Sequence, residues 1–366
     1  MCRIILTLLL LLSCDNQTQT LPETSSDVLN TFVQTAPHQI IDVDNTRAEE
    51  IFIDEHSILF DLNKQDSLLI GHIQSVTMRE ETIYMYDLGS KAVYLLDESG
   101  GLHGPKTREG RGPGEHNVIS NLASNSSHVY LGDSNNARIN RYTPKMNSLE
   151  SIPEFYPSMI SVSDEKIIYQ NQSSSGFSPS SPNQGRIGIS SIHDVSDTLK
   201  TIMPRIIPEG FQPQVFNHVY FSMNSLNRIA ASYMPIPWIF LYDDNHELEK
   251  ILVLEYSEFD KLDIAEMELF RPQSNQGYGG QTPINHYVLM DNGDLFITLR
   301  GEVIHLSTGK SGDYNVKKRF KIINGSNHAS DMADSFLWTF NKVFYTDDEY
   351  AIAFNPEYIY RIMLNR

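Results

Sequence analysis

The sequence predicts an all-β fold, a six-bladed β-propeller whose blades are four-stranded antiparallel sheets. Three observations predict it: a repeat with an interval of 46 residues, six alternating hairpins along the chain, and a further short strand before and after most of these hairpins. Propeller repeats are about 40–50 residues long, and each blade contains four strands. The chain of 366 residues is long enough for six such units.

The repeat is clearest in the first two hairpins. Val129 and Asp133 follow Ile83 and Asp87 by 46 residues each. Each unit consists of a short strand with alternating apolar residues, a polar turn that begins with aspartate, and a second alternating strand. This pattern is typical of a β-hairpin.

Four weaker hairpins follow, at residues 166–192, 228–245, 293–308 and 349–364. The last of them ends at the C-terminus and leaves no room for a fourth strand. Residues 49–62 alternate like a strand pair ahead of the first blade, and we expect them to supply the outer strand of the last blade. This N-terminal strand would close the ring and remove an exposed sheet edge.

The N-terminus has the features of a signal peptide. Arg3 precedes an apolar run over residues 4–12, broken only by Thr7. The run is shorter than the ~20 residues that span a bilayer and has the length of a signal-peptide core. It ends in Leu-Leu-Ser-Cys at residues 11–14, which resembles the lipobox of bacterial lipoproteins. The resemblance implies a signal peptide of residues 1–13, cleavage before Cys14, and a diacylglyceryl group on the Cys14 thiol.

An ordinary secretory signal with an incidental cysteine is the alternative. The chain has two cysteines, Cys2 and Cys14, so no disulfide framework is possible. After cleavage before Cys14, the exported chain has Cys14 as its one thiol, at its first residue. We therefore expect lipidation at Cys14. Residues 14–45 are rich in Thr, Ser, Gln, Asn and Asp and are predicted to form a flexible tether, followed by the propeller at 46–366. The predicted location is the bacterial cell envelope, with the lipid in a membrane, either at the outer membrane or on the periplasmic side.

The charge of the chain argues against nucleic acid as a partner. Lys and Arg number 28 and Asp and Glu number 46, which gives a net charge of −18. An acidic surface repels phosphate backbones and anionic lipids.

One blade carries a more specific pattern. The Gly-rich stretch Gly110–Glu115 is followed by the strand Val129–Asp133 and then by Asn136 and Arg138, which open the third strand. This arrangement resembles an NHL-type propeller repeat. Together with the lipobox, the chain is similar to the six-bladed, TolB-like propeller lipoproteins of Bacteroidetes-type bacteria. The Gly-rich stretch is therefore interpreted as a connector between blades. A phosphate loop would end in Gly-Lys-Ser/Thr and lead into a helix, whereas this stretch ends in Glu115 and leads into a strand.

Two charged residues of the connector have two interpretations. Arg111 and Glu115 are expected to stabilise the loop as a structural pair, and contact with a ligand is the alternative.

Long insertions are predicted to lie on one face of the disc. In an antiparallel blade, the turns between strands two and three lie on the same face as the connectors between blades. The insertions at 171–185, 203–217 and 256–281 all belong to these classes. We call this the long-loop face and the other the short-turn face. Because long loops are usually functional, the long-loop face is the predicted binding face, with Tyr278 exposed at the tip of the third insertion.

The sequence contains no recognisable catalytic motif. The 12 histidines show no HxH or HExxH spacing, and no Gly-x-Ser-x-Gly elbow occurs. We therefore predict no catalytic residue, no metal and no cofactor, and a binding or scaffold protein that engages an envelope protein or glycan. One alternative is a metal-dependent, lactonase-like hydrolase or lyase with axial ligands, for which His218 and His286 are the candidates. Another is a purely structural partner in an envelope complex, which would have a broad apolar patch.

Lipidation is tested by the Cys14→Ala variant. We expect it to lose metabolic labelling by a fatty acid and to leave the membrane fraction, because the thiol is the predicted attachment point. Cys2→Ala serves as the control and should be labelled like the wild type. Unchanged labelling of Cys14→Ala would contradict the prediction.

Overall fold

The computed structural model describes thirteen stretches of the chain. They are residues 37–53, 57–64, 70–97, 99–153, 157–171, 187–195, 198–203, 218–233, 237–257, 284–299, 302–324, 342–346 and 349–364. The predicted fold is confirmed, since six small antiparallel sheets form a six-bladed β-propeller.

An N-terminal arm precedes the blades. It contains β1 (His38–Asp42), β2 (Glu49–Ile53), β3 (Ile58–Asp61) and a single 3-10 turn, Leu62–Lys64. Blade one consists of β4 (Ile73–Arg79), β5 (Thr82–Asp87), β6 (Ala92–Leu96) and β7 (Leu102–His103). A two-stranded connector follows, formed by β8 (Arg108–Glu109) and β9 (Glu115–His116).

The remaining blades have the same strand order. Blade two is β10 (Ile119–Ser124), β11 (Val129–Asp133), β12 (Arg138–Tyr142) and β13 (Ser148–Pro153), and blade three is β14 (Pro157–Val162), β15 (Lys166–Asn171), β16 (Ile187–Ser191) and β17 (Thr198–Ile202). Blade four is β18 (Val219–Met223), β19 (Ile229–Tyr233), β20 (Trp238–Tyr242) and β21 (Leu248–Glu255), and blade five is β22 (Ile284–Leu289), β23 (Leu295–Leu299), β24 (Glu302–Thr308) and β25 (Tyr314–Asn324). Blade six is β26 (Lys342–Thr346), β27 (Tyr350–Phe354) and β28 (Tyr358–Met363), completed by β3.

The N-terminal strand closes the ring as predicted. β3 pairs antiparallel with β28, with Asp61 opposite Tyr358 and Phe60 opposite Ile359. Only the second half of residues 49–62 serves this purpose. The first half, β2, instead pairs parallel with β25 of blade five, and β1 pairs parallel with β21 of blade four. The arm thus covers the outer edges of three successive blades, which removes their open backbone hydrogen-bonding groups.

Part of the range 14–45 is packed against the propeller. Ile41 and Val43 are buried, and the Val43 N–H donates to the Glu255 carbonyl over 2.9 Å. The Gln39 side chain donates to the Tyr314 carbonyl and accepts from the Tyr314 N–H. The packed part of the chain therefore begins no later than β1, and residues 14–36 of the predicted tether lie outside the described residues.

Apolar side chains fill each boundary between neighbouring blades. Six buried clusters occur among the described residues, one for each boundary, and tyrosine, phenylalanine, isoleucine and leucine dominate them. Phe60 of the arm belongs to the cluster between blades six and one, where it is 3% exposed. Ring closure is therefore fixed by apolar packing as well as by backbone pairing.

Side chains of the inner strands join adjacent blades. The Leu122 N–H donates to the Ser75 hydroxyl over 2.8 Å, and the Ile160 N–H donates to the Asn121 Oδ1 over 2.8 Å. The same contact recurs from Met223 to Ser161 and from Leu289 to Ser222. Each bond satisfies a backbone donor that faces away from its own sheet.

Ring closure is tested by deleting residues 15–61, which removes β1, β2 and β3. We expect cooperative unfolding to be lost, because β28 then has an open edge and the cluster around Phe60 is exposed. The measurement is a thermal or denaturant melt followed by circular dichroism. The single change Phe60→Ala should cost about 3–5 kcal/mol of unfolding free energy.

Deletion of residues 15–36 is the control for this experiment. It ends before β1 and keeps all described pairings of the arm. Equal melting curves for the two deletions would contradict a closing role for the arm.

Candidate functional site

The Gly110–Glu115 connector is held together by its own carboxylate. Glu115 Oε2 accepts from the Gly112 N–H over 2.7 Å, and Oε1 lies 2.7 Å from the Arg108 guanidinium. These contacts hold the pKa of Glu115 below its usual range, with the Gly112 hydrogen bond as the largest cause. A Cβ on Gly110, whose φ is 157°, would overlap the Glu115 carboxylate. The loop therefore requires glycine at this position.

Arg138 fastens the connector to blade two. Its guanidinium donates to the carbonyls of Arg111, Gly112 and Glu115 and to the Asp133 carboxylate. The sequence predicted a structural pair of Arg111 and Glu115, but Glu115 pairs with Arg108 instead. Of Arg111, the carbonyl takes part in these bonds and the side chain is exposed. A ligand contact of Arg111 or Glu115 stays a prediction.

The repeated aspartates join each connector to the turn of its hairpin. Asp87 is fully buried and accepts from the backbone N–H groups of Gly71, His72 and Ser90 over 2.5–2.8 Å. Asp133 occupies the corresponding position in blade two and accepts from the Asn117 N–H and the Asn136 side chain. The two carboxylates are thus used internally, which explains the aspartate in the repeat.

His116 lies buried at the end of the connector. Its Nε2 is 2.8 Å from the Thr107 hydroxyl, and its ring packs edge-to-face on Tyr86 with centroids 5.6 Å apart. Burial lowers the pKa of His116 to about 4, against the opposing effect of Asp133. The imidazole is therefore neutral at neutral pH.

His218, at the start of an inner strand, lies at the mouth of the central channel on the long-loop face. Inner strands run from the long-loop face to the short-turn face, so their first residues surround this mouth. His218 directly precedes β18 and packs edge-to-face on Tyr220, with centroids 5.4 Å apart. Burial raises the pKa of Tyr220 to about 12, so its hydroxyl is protonated at neutral pH.

His286, the second predicted histidine, lies on the neighbouring inner strand at the same level. His286 pairs with Thr298 and Tyr220 with Ser232, which are the penultimate residues of β23 and β19. The buried Tyr287 donates its hydroxyl to the Tyr220 carbonyl and so ties the two strands together. The structure therefore places the two histidines on neighbouring inner strands but does not bring their side chains together. Tyr220 packs against the cluster between blades four and five, whereas His286 shares the side of β22 from which Val288 and Met290 pack toward blade six.

The short-turn face has a different surface. Its inner turns are joined by hydrogen bonds from blade to blade, for example from the Arg79 guanidinium to the Ser126 carbonyl and from Ser163 to Asn227. Ser225 continues the series by donating from its N–H and hydroxyl to the Asp291 carboxylate. These turns form a compact polar surface.

Several predicted features fall on other parts of the chain. Cys14, Tyr278 and the inner portions of the three long insertions lie outside the described residues. Among the described residues, no group of three or more His, Cys, Asp or Glu side chains is arranged to hold a metal ion. In the same part of the chain, no helix is long and apolar enough to cross a membrane.

Comparisons with known proteins relate the chain to propellers by structure. No protein-family model and no curated protein matches the sequence. A Bacteroides fragilis protein provisionally described as exported has a TM-score of 0.52 at 13% identity, covering 89% of this chain and 99% of its own. A streptogramin B lyase covers 84% of this chain and 96% of its own at 11% identity, with a TM-score of 0.43. Virginiamycin B lyase from Staphylococcus aureus covers 84% and 87% at 12% identity, with a TM-score of 0.39. At these identities the likeness extends to the fold alone.

The buried His116 predicts a loss of stability in acid. Its folded-state pKa of about 4 lies below the 6.5 of an exposed histidine, so the unfolded chain binds the proton first as the pH falls. The unfolding free energy should therefore decrease between about pH 6.5 and about pH 4, by roughly 3 kcal/mol from this residue. Urea melts across this range measure the effect.

The His116→Gln variant should have a flatter pH profile over the same range, whatever its absolute stability. His193→Gln is the matched control, since His193 is exposed. If the His116 variant keeps the full slope of the wild type, the assignment to His116 is wrong.

Proposed function

We propose that this protein is a lipid-anchored envelope propeller of the NHL-type, TolB-like kind, which binds a protein or glycan partner on its long-loop face without catalysis. The lipobox at residues 11–14 and the repeat around Asp133 support the anchor and the subfamily. The likeness to an exported propeller is compatible with a location outside the cytoplasm.

The proposal that the partner binds on the long-loop face rests on a difference between the two faces. On the short-turn face, the described inner turns bond to one another, so their polar groups are already occupied. The three long insertions all leave and enter the propeller on the opposite face. Loop length on a rigid scaffold is the means by which propellers vary their ligands.

The Gly110–Glu115 connector supports this orientation. It projects from the long-loop face, and Arg138 and Glu115 hold it in one conformation. The Arg111 side chain is exposed on this rim, whereas Arg108 is paired with Glu115 and Glu109 with Lys91. A loop held in one conformation is suited to contact a partner without ordering costs.

The proposal is tested by replacing residues 275–280 with a neutral linker and capturing partners from envelope extract. We expect partners to be lost, because this segment belongs to an insertion on the long-loop face. The matched control changes the exposed Leu226 to Ser on the short-turn face and should retain them. Loss in the control alone would show that the opposite face binds. Metal-dependent hydrolysis of a lactone by the purified protein would overturn the non-catalytic reading.

A further inference from the structure

The outer edges of the blades are covered to different extents. β1 and β2 of the arm pair with the outer strands of blades four and five, and β3 itself forms the outer strand of blade six. β7 of blade one is two residues long, and β13 of blade two contains Pro153, which cannot donate a backbone hydrogen bond. β17 of blade three, Thr198–Ile202, has five residues and no proline. In the part of the chain that the structure describes, no strand pairs with the outer edge of β17.

The side chains of β17 give this edge an apolar character. Leu199 is 58% exposed. The strand carries no carboxylate, and its one charged residue, Lys200, points toward blade four, where its Nζ lies 2.6 Å from Glu247 Oε1. Natural proteins usually interrupt or cover an edge strand of this kind, because its outward backbone groups would pair with any strand that approaches. The edge of β17 therefore suits a further strand.

The sequence shortly before β1 has the composition of a strand. Residues 28–34 read Val-Leu-Asn-Thr-Phe-Val-Gln, with four apolar residues among seven, whereas residues 15–27 contain Leu21 as their one aliphatic residue. Valine, phenylalanine and threonine favour extended strands. Apolar residues stand at both odd and even positions of 28–34, so a strand formed by this segment has apolar groups on both sides. Within the predicted tether, this segment is the one suited to pair with a sheet edge.

The position of β1 brings this segment within reach of β17. The Lys200–Glu247 ion pair joins β17 to the turn before β21, which begins at Leu248, and β1 starts opposite Ile251. Residues 35–37 separate the segment from β1, and the four extended steps from 34 to 38 span about 13 Å. β1 runs parallel to β21 and therefore begins near the short-turn face. A segment that runs antiparallel to β17 ends near the same face, so a short connection is sufficient.

We propose that the outer edge of β17 is a docking site for residues 28–34 of the same chain, which pair with it as an antiparallel strand. The arm then covers the outer edges of blades three, four and five in sequence order before it completes blade six. Cross-strand apolar neighbours cover Leu199 and add to the stability of the pair. The predicted tether from Cys14 is thereby reduced to residues 15–27, which join the new strand at the long-loop end of blade three. The pairing itself requires neither a lipid nor a partner, so it is independent of the proposed function.

Hydrogen exchange of the full chain in detergent tests the pairing. In the comparison variant, a Gly-Ser linker of equal length replaces residues 28–34. We expect the outward-facing amides of β17 to exchange about tenfold more slowly in the wild type than in this variant, because pairing protects them. Replacement of residues 18–24 by the same linker is the matched control and should leave the exchange of β17 as in the wild type. Circular dichroism verifies that both variants keep the propeller.

Two results of this experiment would overturn the inference. One is equal exchange of the β17 amides in the wild type and in the 28–34 variant. The other is protection of β17 that disappears on dilution, because it would assign the edge to a second copy of the chain.

A pair of cysteines tests the contact directly. Phe32→Cys and Leu199→Cys are introduced into the full chain together with Cys2→Ser and Cys14→Ser, so that the new pair holds its only thiols. A short bismaleimide reagent tolerates a small shift of register between the two strands. We expect it to join the two cysteines within one molecule, as a cross-linked monomer identified by mass spectrometry.

Proline substitutions distinguish a paired strand from a chance encounter. Thr31→Pro and Val33→Pro remove backbone donors without changing the length of the segment. Added to the cysteine pair, they should lower the rate of cross-linking by about tenfold. A rate that the prolines leave unchanged, or cross-links that form between molecules only, would overturn the inference.

Discussion

The propeller depends on hydrogen-bond acceptors for the backbone N–H groups of its inner strands. Each inner strand pairs within its blade on one side only, so its remaining N–H groups face the neighbouring inner strand and the axis. An unpaired buried N–H is costly, and Ser75, Asn121, Ser161 and Ser222 supply the acceptors. Because these side chains are short, adjacent inner strands must lie close together. This spacing brings the apolar faces of neighbouring blades into contact.

The arm solves the complementary problem at the outside of the ring. β1 and β2 cover the long outer strands β21 and β25, and β3 completes blade six. Arg319 ties the arm to the blades: its guanidinium donates to the carbonyls of Val43 and Thr46 and pairs with the buried Glu302 carboxylate over 2.5 Å. A charge this buried persists only with a partner, so Arg319 and Glu302 each stabilise the other. The same Arg319 contacts Tyr256, at the base of a long insertion.

How much of this structure the sequence predicts depends on how far apart in sequence the interacting residues lie. Hairpins and the Asp87 and Asp133 turns are local, so alternation and the 46-residue interval predict them. Ring closure follows from counting strands. The parallel pairing of β1 and β2 was not predicted. The alternation in residues 49–62 indicates strands, but pairing with residues distant in sequence leaves no mark that identifies the partner. For the same reason Arg138 and Arg108, which organise the connector, were not distinguished from exposed arginines.

A site on the propeller axis is hard to find by searching for residues that recur in each blade, because all blades share the axis. Residues that serve each blade separately must recur, and Asp87 and Asp133 do so. A residue that faces the axis meets side chains from the other blades, so identical residues around the ring would crowd or repel one another. Sites on the axis are therefore built from positions where the repeat is broken. One such position, opposite the penultimate residue of the second strand, differs in every blade where that residue is paired. It holds, in blades one, three, four, five and six, Ser75, Met159, Tyr220, His286 and Val343. Departures from the repeat, compared at equal strand register, are for that reason more informative about function here than the repeat itself.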